Sequence, residues 1–275
     1  MKSAHSDKID DYGNKFEKVF QIVFRRILKI VANGLKGVFY LHYKLAPNKR
    51  YTIPSSSKPL LRSRKARNIP PILWQTNHTN RVTLAVYANF LFNRLMTPTF
   101  EHRYHSDADC NAYIAKHFPG EVFELFDSLQ VGAARADFWR VLVLENEGGV
   151  YIDFDANMSW FAERFLDADQ KDLFLDMGTE ITNYFLASSP GNPTIIAIRQ
   201  QISENIRENT LTSVYHMTGP TVVDQVVRQR DVTIRPYRQV ATQGQFTNKL
   251  FQYADKKGGT WGQEQQDRSI VKAAD

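Results

Sequence analysis

An α/β domain carried behind a basic amphipathic helical extension is the architecture that this 275-residue chain predicts. From residue 69 onward, apolar stretches of strand length alternate with segments of helical periodicity, the pattern of a largely parallel sheet covered by helices. Hydrophobic residues make up 43% of the chain and aromatics 12%, enough to bury the core such a sheet needs and too many for a disordered chain. Charge is unevenly spread. Through residue 68 there are 16 Lys and Arg against 4 Asp and Glu, so the net +6 conceals a remainder of −6. The single cysteine, Cys110, excludes an intramolecular disulfide framework and a cysteine-rich zinc site, and it fits a reducing, cytoplasmic compartment.

In "KFEKVFQIVFRRILKIVANGLKGVFYLHYKL" the residues Phe16, Val19, Phe20, Val23, Phe24, Ile27, Ile30, Val31 and Leu35 recur at helical spacing. Lys15, Lys18, Arg25, Arg26, Lys29 and Lys36 fall mostly between them. Residues 1–45 therefore predict a basic amphipathic helical segment. Charges interrupt it too often for a bilayer span, which takes about 20 apolar residues, and it lacks the cleavage site of a secretory signal. Two readings stay open. Residues 13–45 lie on an anionic membrane surface, peripherally on the inner face of the cell membrane, or the helix packs on the main domain or in a dimer. No nucleic-acid-binding motif accompanies the charge, so no nucleic-acid partner is expected. Residues 46–68, rich in Pro, Ser and basic residues without periodicity, read as a linker to a domain spanning 69–275. Truncation to about residue 66 is accordingly expected to spare that domain.

Within the domain, Ile72 to Gln75 predict a strand that runs into a polar loop, Thr76 to Asn80. A helix over Arg81 to Leu95, a strand around residues 99–105 and a helix over "SDADCNAYIAKHF" follow. "VGAARADFWRVLVLENEGG" reads as a further helix ended by Gly148 and Gly149.

The next stretch, "VYIDFD", alternates Val150, Ile152 and Phe154 with Tyr151, Asp153 and Asp155, so strand geometry puts the tyrosine and both carboxylates on one face. Two carboxylates held together repel unless a cation sits between them, and in open α/β sheets ligands bind beyond the carboxyl ends of strands. Mn²⁺ or Mg²⁺, held by one or two carboxylates and completed by water and substrate phosphates, suits the pair and suggests a diphosphate substrate. Two other readings exist. Strand-end aspartates can be merely solvated, and phosphatases of the haloacid dehalogenase type also place two aspartates two apart. Those phosphatases usually follow with Thr or Val two positions later, near the start of the domain, whereas Asn157 holds that place here. Upstream, Asp137 and Arg140 share one face of the predicted helix. They can pair with each other, or bind a sugar hydroxyl and a diphosphate respectively.

The run "ARADFWRVLVLENEGGVYIDFD" resembles the glycosyltransferase family typified by the yeast initiating α-mannosyltransferase and capsular polysaccharide enzymes, and more distantly the catalytic domains of clostridial glucosylating toxins. "IPPILWQT" is similar to that family's opening strand, and "NYFLASSPGNP", "HMTGP" and "GGTWG" to its later elements, in order over residues 69–262. The resemblance implies a GT-A (Rossmann-like) fold and transfer of a sugar from a UDP- or GDP-sugar, with a divalent metal and retention of anomeric configuration. It implies that Asp137 and Arg140 bind the donor sugar and diphosphate, that Asp153 contacts ribose or sugar and helps with the metal, and that Asp155 is the direct metal ligand. Tyr151 is counted with the donor-binding residues. Asn183 would face the donor sugar, Gln75 and Thr76 would lie beside the base, and Thr260 with Trp261 would close over the diphosphate. This chain departs from the pattern where Trp74 replaces the usual histidine, Asn77 the usual tryptophan and Ala136 a common serine.

A metal-dependent retaining transferase acting on a glycan or lipid-linked acceptor in surface polysaccharide synthesis is the function expected. An effector or toxin-like enzyme modifying a protein, and a non-enzymatic interaction protein with a degenerate site, are the alternatives. The metal and Arg140 would stabilise the leaving diphosphate, and no residue declares itself a nucleophile.

Overall fold

The computed structural model describes residues 15–63, 65–256 and 258–272, with side chains from residue 19. A long helix, α1 (Lys15–Leu45), leads into two short strands, β1 (Tyr51–Thr52) and β2 (Ser56–Ser57). The body then runs β3 (Ile72–Thr76), β4 (Arg81–Val82), α2 (Leu84–Met96), β5 (Glu101–His105), α3 (Asp107–His117), α4 (Glu121–Ser128) and α5 (Gly132–Asn146). Next come β6 (Gly149–Ile152), β7 (Ala156–Met158), β8 (Asp172–Asp176), β9 (Ile181–Ser188), α6 (Pro193–Glu208), α7 (Val214–Met217) and α8 (Pro220–Val227). The last elements are β10 (Ile234–Pro236), α9 (Tyr237–Val240), β11 (Ala241–Gln243), α10 (Lys249–Gln252) and α11 (Trp261–Asp267).

Seven strands form the central sheet in the order β10-β8-β9-β6-β3-β5-β2. β3 pairs in parallel with β5 and β6, and β10 with β8, but β9 runs antiparallel to both β6 and β8, and β2 antiparallel to β5. The sheet is therefore mixed rather than largely parallel, because β8 and β9 are joined by a tight turn that leaves no room for a helical crossover.

Alternation along the strands sorts two cores. Trp74, Tyr151, Phe174 and Leu186 join one with Ile114 of α3, Phe138 of α5 and Ile195 of α6. Leu73, Val150, Ile152, Leu175 and Phe185 join the other with Met96, Met158 and Phe165. Period-two geometry thus sends Val150 and Ile152 one way and Tyr151 the other.

Three sequence-based expectations change in detail. Arg81 and Val82 pair with β1 before the helix can begin, so α2 starts at Leu84. Residues 46–68, read as a linker, supply β1 and the edge strand β2, and Ile53 between them is fully buried. α4 is an additional helix, opened by Gly120 at positive φ.

α1 lies against the domain. Gln21, Leu28, Ala32 and Phe39 are buried along one side, Leu28 and Ala32 pack with Phe246, and Phe39 meets Phe251 edge-on at 6.4 Å. Arg25 donates to the carbonyl of Arg238 and Lys36 to that of Gly244. Of the segment 1–45 read as helical, residues 1–14 and the side chains of 15–18 lie outside the described residues. Among the described residues, no helix is long and apolar enough to cross a membrane.

Candidate active site

The site is built around the loop between β6 and β7. α5 ends in Gly148 and Gly149, both at positive φ, +67° and +105°, which let the chain reverse directly into β6. A Cβ on Gly149 would lie 2.7 Å from the carbonyl oxygen of Ile72 on β3, so that contact admits only glycine. Trp74 braces the same turn, donating its indole N–H to the carbonyl of Gly148 at 2.8 Å.

β6 stops at Ile152, one residue before the acidic pair. Asp153 to Ala156 form a turn closed by a 3.0 Å bond from the Ala156 amide to the Asp153 carbonyl. Tyr151, Asp153 and Asp155 do converge as alternation predicts, but the turn rather than one continuous strand presents both carboxylates. Tyr151 donates to Asp153 Oδ1 at 2.8 Å. The Asp155 carbonyl accepts the Gly244 amide at 3.0 Å, fixing the turn to the residue that follows β11.

Behind the turn stands a buried charge cluster. Arg140 Nη2 lies 2.9 Å from Asp137 Oδ1 and 3.3 Å from Asp153 Oδ1. Its Nη1 donates to the carbonyl of Asn183 at 2.6 Å, its Nε to that of Ala136 at 3.2 Å, and its guanidinium stacks over the Tyr151 ring. Asp137 also accepts from Asn183 Nδ2 at 2.9 Å and Thr218 Oγ1 at 3.0 Å. Asp137, Arg140, Asp153 and Asn183 are therefore one hydrogen-bonded unit, in which Arg140 is committed to carboxylates and carbonyls.

The electrostatics follow from burial. Burial pushes the Asp137 carboxyl up to about 7, against the pull of Arg140. Burial also raises Asp153, opposed first by Arg140. Asp155 is pushed up to about 7 by burial and then by the charge of Asp153. Burial works to lower the Arg140 pKa, but the neighbouring acidic groups, Asp153 first, outweigh it and keep the guanidinium charged. Arg140 alone does not balance three acidic groups.

These groups line a cavity of about 290 Å³ whose walls include Thr76, Asn77, His78, Ala136, Asn183 and Trp261. Of the residues expected at a donor site, Thr76, Asp137, Arg140, Tyr151, Asp153, Asn183 and Trp261 all border it, as does Asp155. Gln75 and Thr260 are not among the lining residues. Gln75 is buried, with its amide 3.5 Å from the Asp153 carbonyl, while Thr260 caps α11 in a capping box with Gln263. Trp74 is enclosed in the core against Trp139, so the departure there concerns packing.

Several residues at the site escaped sequence reasoning. Gln243 Nε2 lies 3.1 Å from Asp153 Oδ2 and 3.5 Å from Asp155 Oδ1, and Gln252 Nε2 lies 3.0 Å from Asp155 Oδ2. Lys256 borders the cavity and pairs with the buried Glu264 at 2.7 Å. His78 also borders it, with burial lowering its pKa and favouring the neutral ring. Gln243 and Gln252 meet the aspartates only through long-range folding, and no local spacing announces them.

Residues 67–170 match the family model described as "Glycosyltransferase sugar-binding region containing DXD motif". This part of the chain is thus similar to a glycosyltransferase's DXD-containing region. Of the three D-x-D triplets within that span, Asp107 to Asp109, Asp153 to Asp155 and Asp167 to Asp169, the middle one has both aspartates on the cavity. An uncharacterized glycosyltransferase, L373, of Acanthamoeba polyphaga mimivirus is 25% identical over 123 residues, covering 44% of this chain and 48% of that protein. The chain thus matches about half the length of this curated relative. Among solved structures, the PaToxG glycosyltransferase is similar with a TM-score of 0.47 and 15% identity, over 77% of this chain and 79% of its own. The UDP-bound glycosyltransferase domain from the YGT toxin is similar with a TM-score of 0.38 and 15% identity, over 53% and 54%.

Proposed function

We propose that the protein is a metal-dependent, retaining glycosyltransferase of GT-A type. It takes a UDP- or GDP-sugar in the cavity and passes the sugar to a glycan or lipid-linked acceptor in surface polysaccharide synthesis. The observation that carries this reading is the convergence of Asp153 and Asp155, from one turn at the end of a central strand, on a cavity backed by Arg140. The parallel β5-β3-β6 unit, with that turn beyond the carboxyl end of β6, supports the fold assignment.

The donor set fits a hard divalent cation. Two carboxylates raised by burial, Asp155 also by the charge of Asp153, gain from a positive charge, and an open cavity beside them leaves room for phosphate oxygens. Asp155, with Asp153, would hold Mn²⁺ or Mg²⁺, which when bound supplies positive charge where the leaving diphosphate becomes negative. Arg140 holds Asp153 and Asp137 in place. Asp137 and Asn183 present polar atoms to the sugar. Thr76, Asn77 and His78 line the cavity where a base would seat, and Trp261 and Lys256 form the wall that would cover the diphosphate. The acceptor class draws support from α1, whose Phe39 and Tyr43 pack on Phe251, the neighbour of the Gln252 that touches Asp155. The exposed apolar side of a helix so placed would bring the site beside a lipid surface.

With Mn²⁺ supplied, one of a panel of UDP- and GDP-sugars should be slowly hydrolysed without acceptor, and EDTA should stop it. The anomer first released, followed by proton NMR, should keep the donor's configuration. Asp155→Asn should lower turnover by at least about a hundredfold, since a bound metal contributes several kcal/mol of charge stabilisation. The rise in Tm that Mn²⁺ with nucleoside diphosphate gives the wild type should vanish in the variant. An unchanged rise would remove Asp155 from the site, and a panel with no donor bound or turned over would overturn the transferase reading.

A further inference from the structure

α1 has two apolar faces, and the domain covers only one. Leu28, Ala32 and Phe39 point inward, while Val23, Ile27, Ile30, Val38 and Leu41 are exposed, Ile30 to 73%. On a helix of 3.6 residues per turn the exposed set occupies one stripe about 80° wide, roughly opposite the buried set. Arg26 and Lys44, both exposed, lie about 40° beyond one edge of that stripe, and the exposed Lys29 sits further round on the same side. No Asp or Glu occurs between residues 18 and 45. At the amino end the stripe continues into Phe20, which is half exposed and packs edge-on against Trp160 at 5.5 Å, beside the exposed Phe161. Isolated exposed apolar side chains are ordinary on protein surfaces, but a continuous stripe along a helix is not.

We propose that this outward face seats the protein on an anionic lipid surface, with the apolar stripe in the acyl boundary and Arg26, Lys29 and Lys44 on the headgroups. Charge decides the occupant. A second copy docking through the same face would bring cationic edges together with no acidic residue of this stretch to meet them, whereas anionic headgroups complement them. The helix lies in the interface rather than crossing it, since no described helix is long and apolar enough to span a bilayer. Arg25 and Lys36, which bond to the domain's carbonyls, hold the other face down and fix the orientation of the stripe.

The test uses the full chain and two variants altered only at exposed positions: Ile27→Gln with Ile30→Gln and Leu41→Gln, and Arg26→Gln with Lys29→Gln. Each is sedimented with vesicles of phosphatidylcholine alone and with about a third phosphatidylglycerol, and its mass in solution is measured by light scattering. The wild type should bind the anionic vesicles far more tightly than the neutral ones, and more weakly as salt rises. The charge variant should lose about 30-fold, at about 1 kcal/mol per basic residue, and the apolar variant about a hundredfold or more. Melting curves matching the wild type would show that both variants keep the fold. Three results would each overturn the proposal: no vesicle binding by the wild type, equal binding by the apolar variant, or a wild-type dimer that the apolar variant turns to monomer while vesicle binding is absent. Donor hydrolysis in solution plays no part in these readouts, so they stand apart from the fate of the transferase assignment.

Discussion

Arg140 holds the buried Asp137 carboxylate and the part-buried Asp153 carboxylate with one guanidinium, and that arrangement sets what its loss must do. Removing one partner of a buried ion pair leaves uncompensated charge and costs about 3–5 kcal/mol, so Arg140→Met should destabilise the protein by that order at pH 8. The pH dependence has a defined sign. Asp137 and Asp155 are both raised to about 7, from an ordinary value of 3.8. Between those values the folded protein holds more protons than the unfolded chain. Their contribution is therefore fully present at low pH and is lost as pH rises toward neutrality. Without Arg140 the carboxyls rise further, so the variant's deficit should shrink between pH 8 and pH 5.5 in denaturant titrations. An equal deficit at both would show that the carboxylates were not relying on Arg140. The carboxylates and the arginine were legible in the sequence because spacings of two on a strand and three on a helix bring them together locally. Gln243 and Gln252 were not, because each reaches the aspartates from about 90 residues away, one at the end of a three-residue strand and one in a four-residue helix.

At the scale of elements, the junction of α5 and β6 is the joint on which the site depends. The helix must stop, reverse and enter β6 with β3 alongside, and Gly148 and Gly149 meet that need with two consecutive positive φ values. Gly149→Ala would force a Cβ against the Ile72 carbonyl at 2.7 Å and strain the backbone as well. A residue held in so sparsely populated a conformation costs about 1–3 kcal/mol, so the Tm should fall clearly and the Asp153 turn should shift. Gly120→Ala is a useful comparison, because that glycine also has positive φ but nothing stands within 4 Å of its Cβ. If steric contact with β3 matters, Gly149→Ala must be the more damaging of the two. The existence and order of β3, α2, β5, α3, α5 and β6 were readable from periodicity and from the glycine stop. Strand direction was not. Nothing in the composition of β9 distinguishes an antiparallel neighbour of β6 from a parallel one, since all eight of its residues are buried and alternation is lost.

At the scale of the whole molecule, the basic extension is bound into the fold. Removing residues 1–66 would strip away the buried side chains Leu28, Phe39 and Ile53, and expose Phe246 and Phe251 beneath α1. It would also take the edge strand β2 from β5 and the partner β1 from β4. Full burial of each large apolar side chain contributes about 1.5–3 kcal/mol, so the three together account for about 5 kcal/mol or more. That is a large share of the roughly 5–15 kcal/mol by which a domain is stable. The truncated chain is therefore expected to melt far below the full protein or to fail to fold, rather than to behave as an independent catalytic domain. The damage should converge on the acidic turn, since Phe251 precedes Gln252 and Gly244 holds the Asp155 carbonyl. A second truncation, lacking only residues 1–14, keeps every packed side chain described along α1 and serves as the comparison in Tm. Thermal melts of the two truncations separate the possibilities: if the chain starting at residue 67 melts as high as the full protein, α1 and the strands that follow it are an appendage, and the packing seen along Leu28, Ala32 and Phe39 contributes nothing to stability.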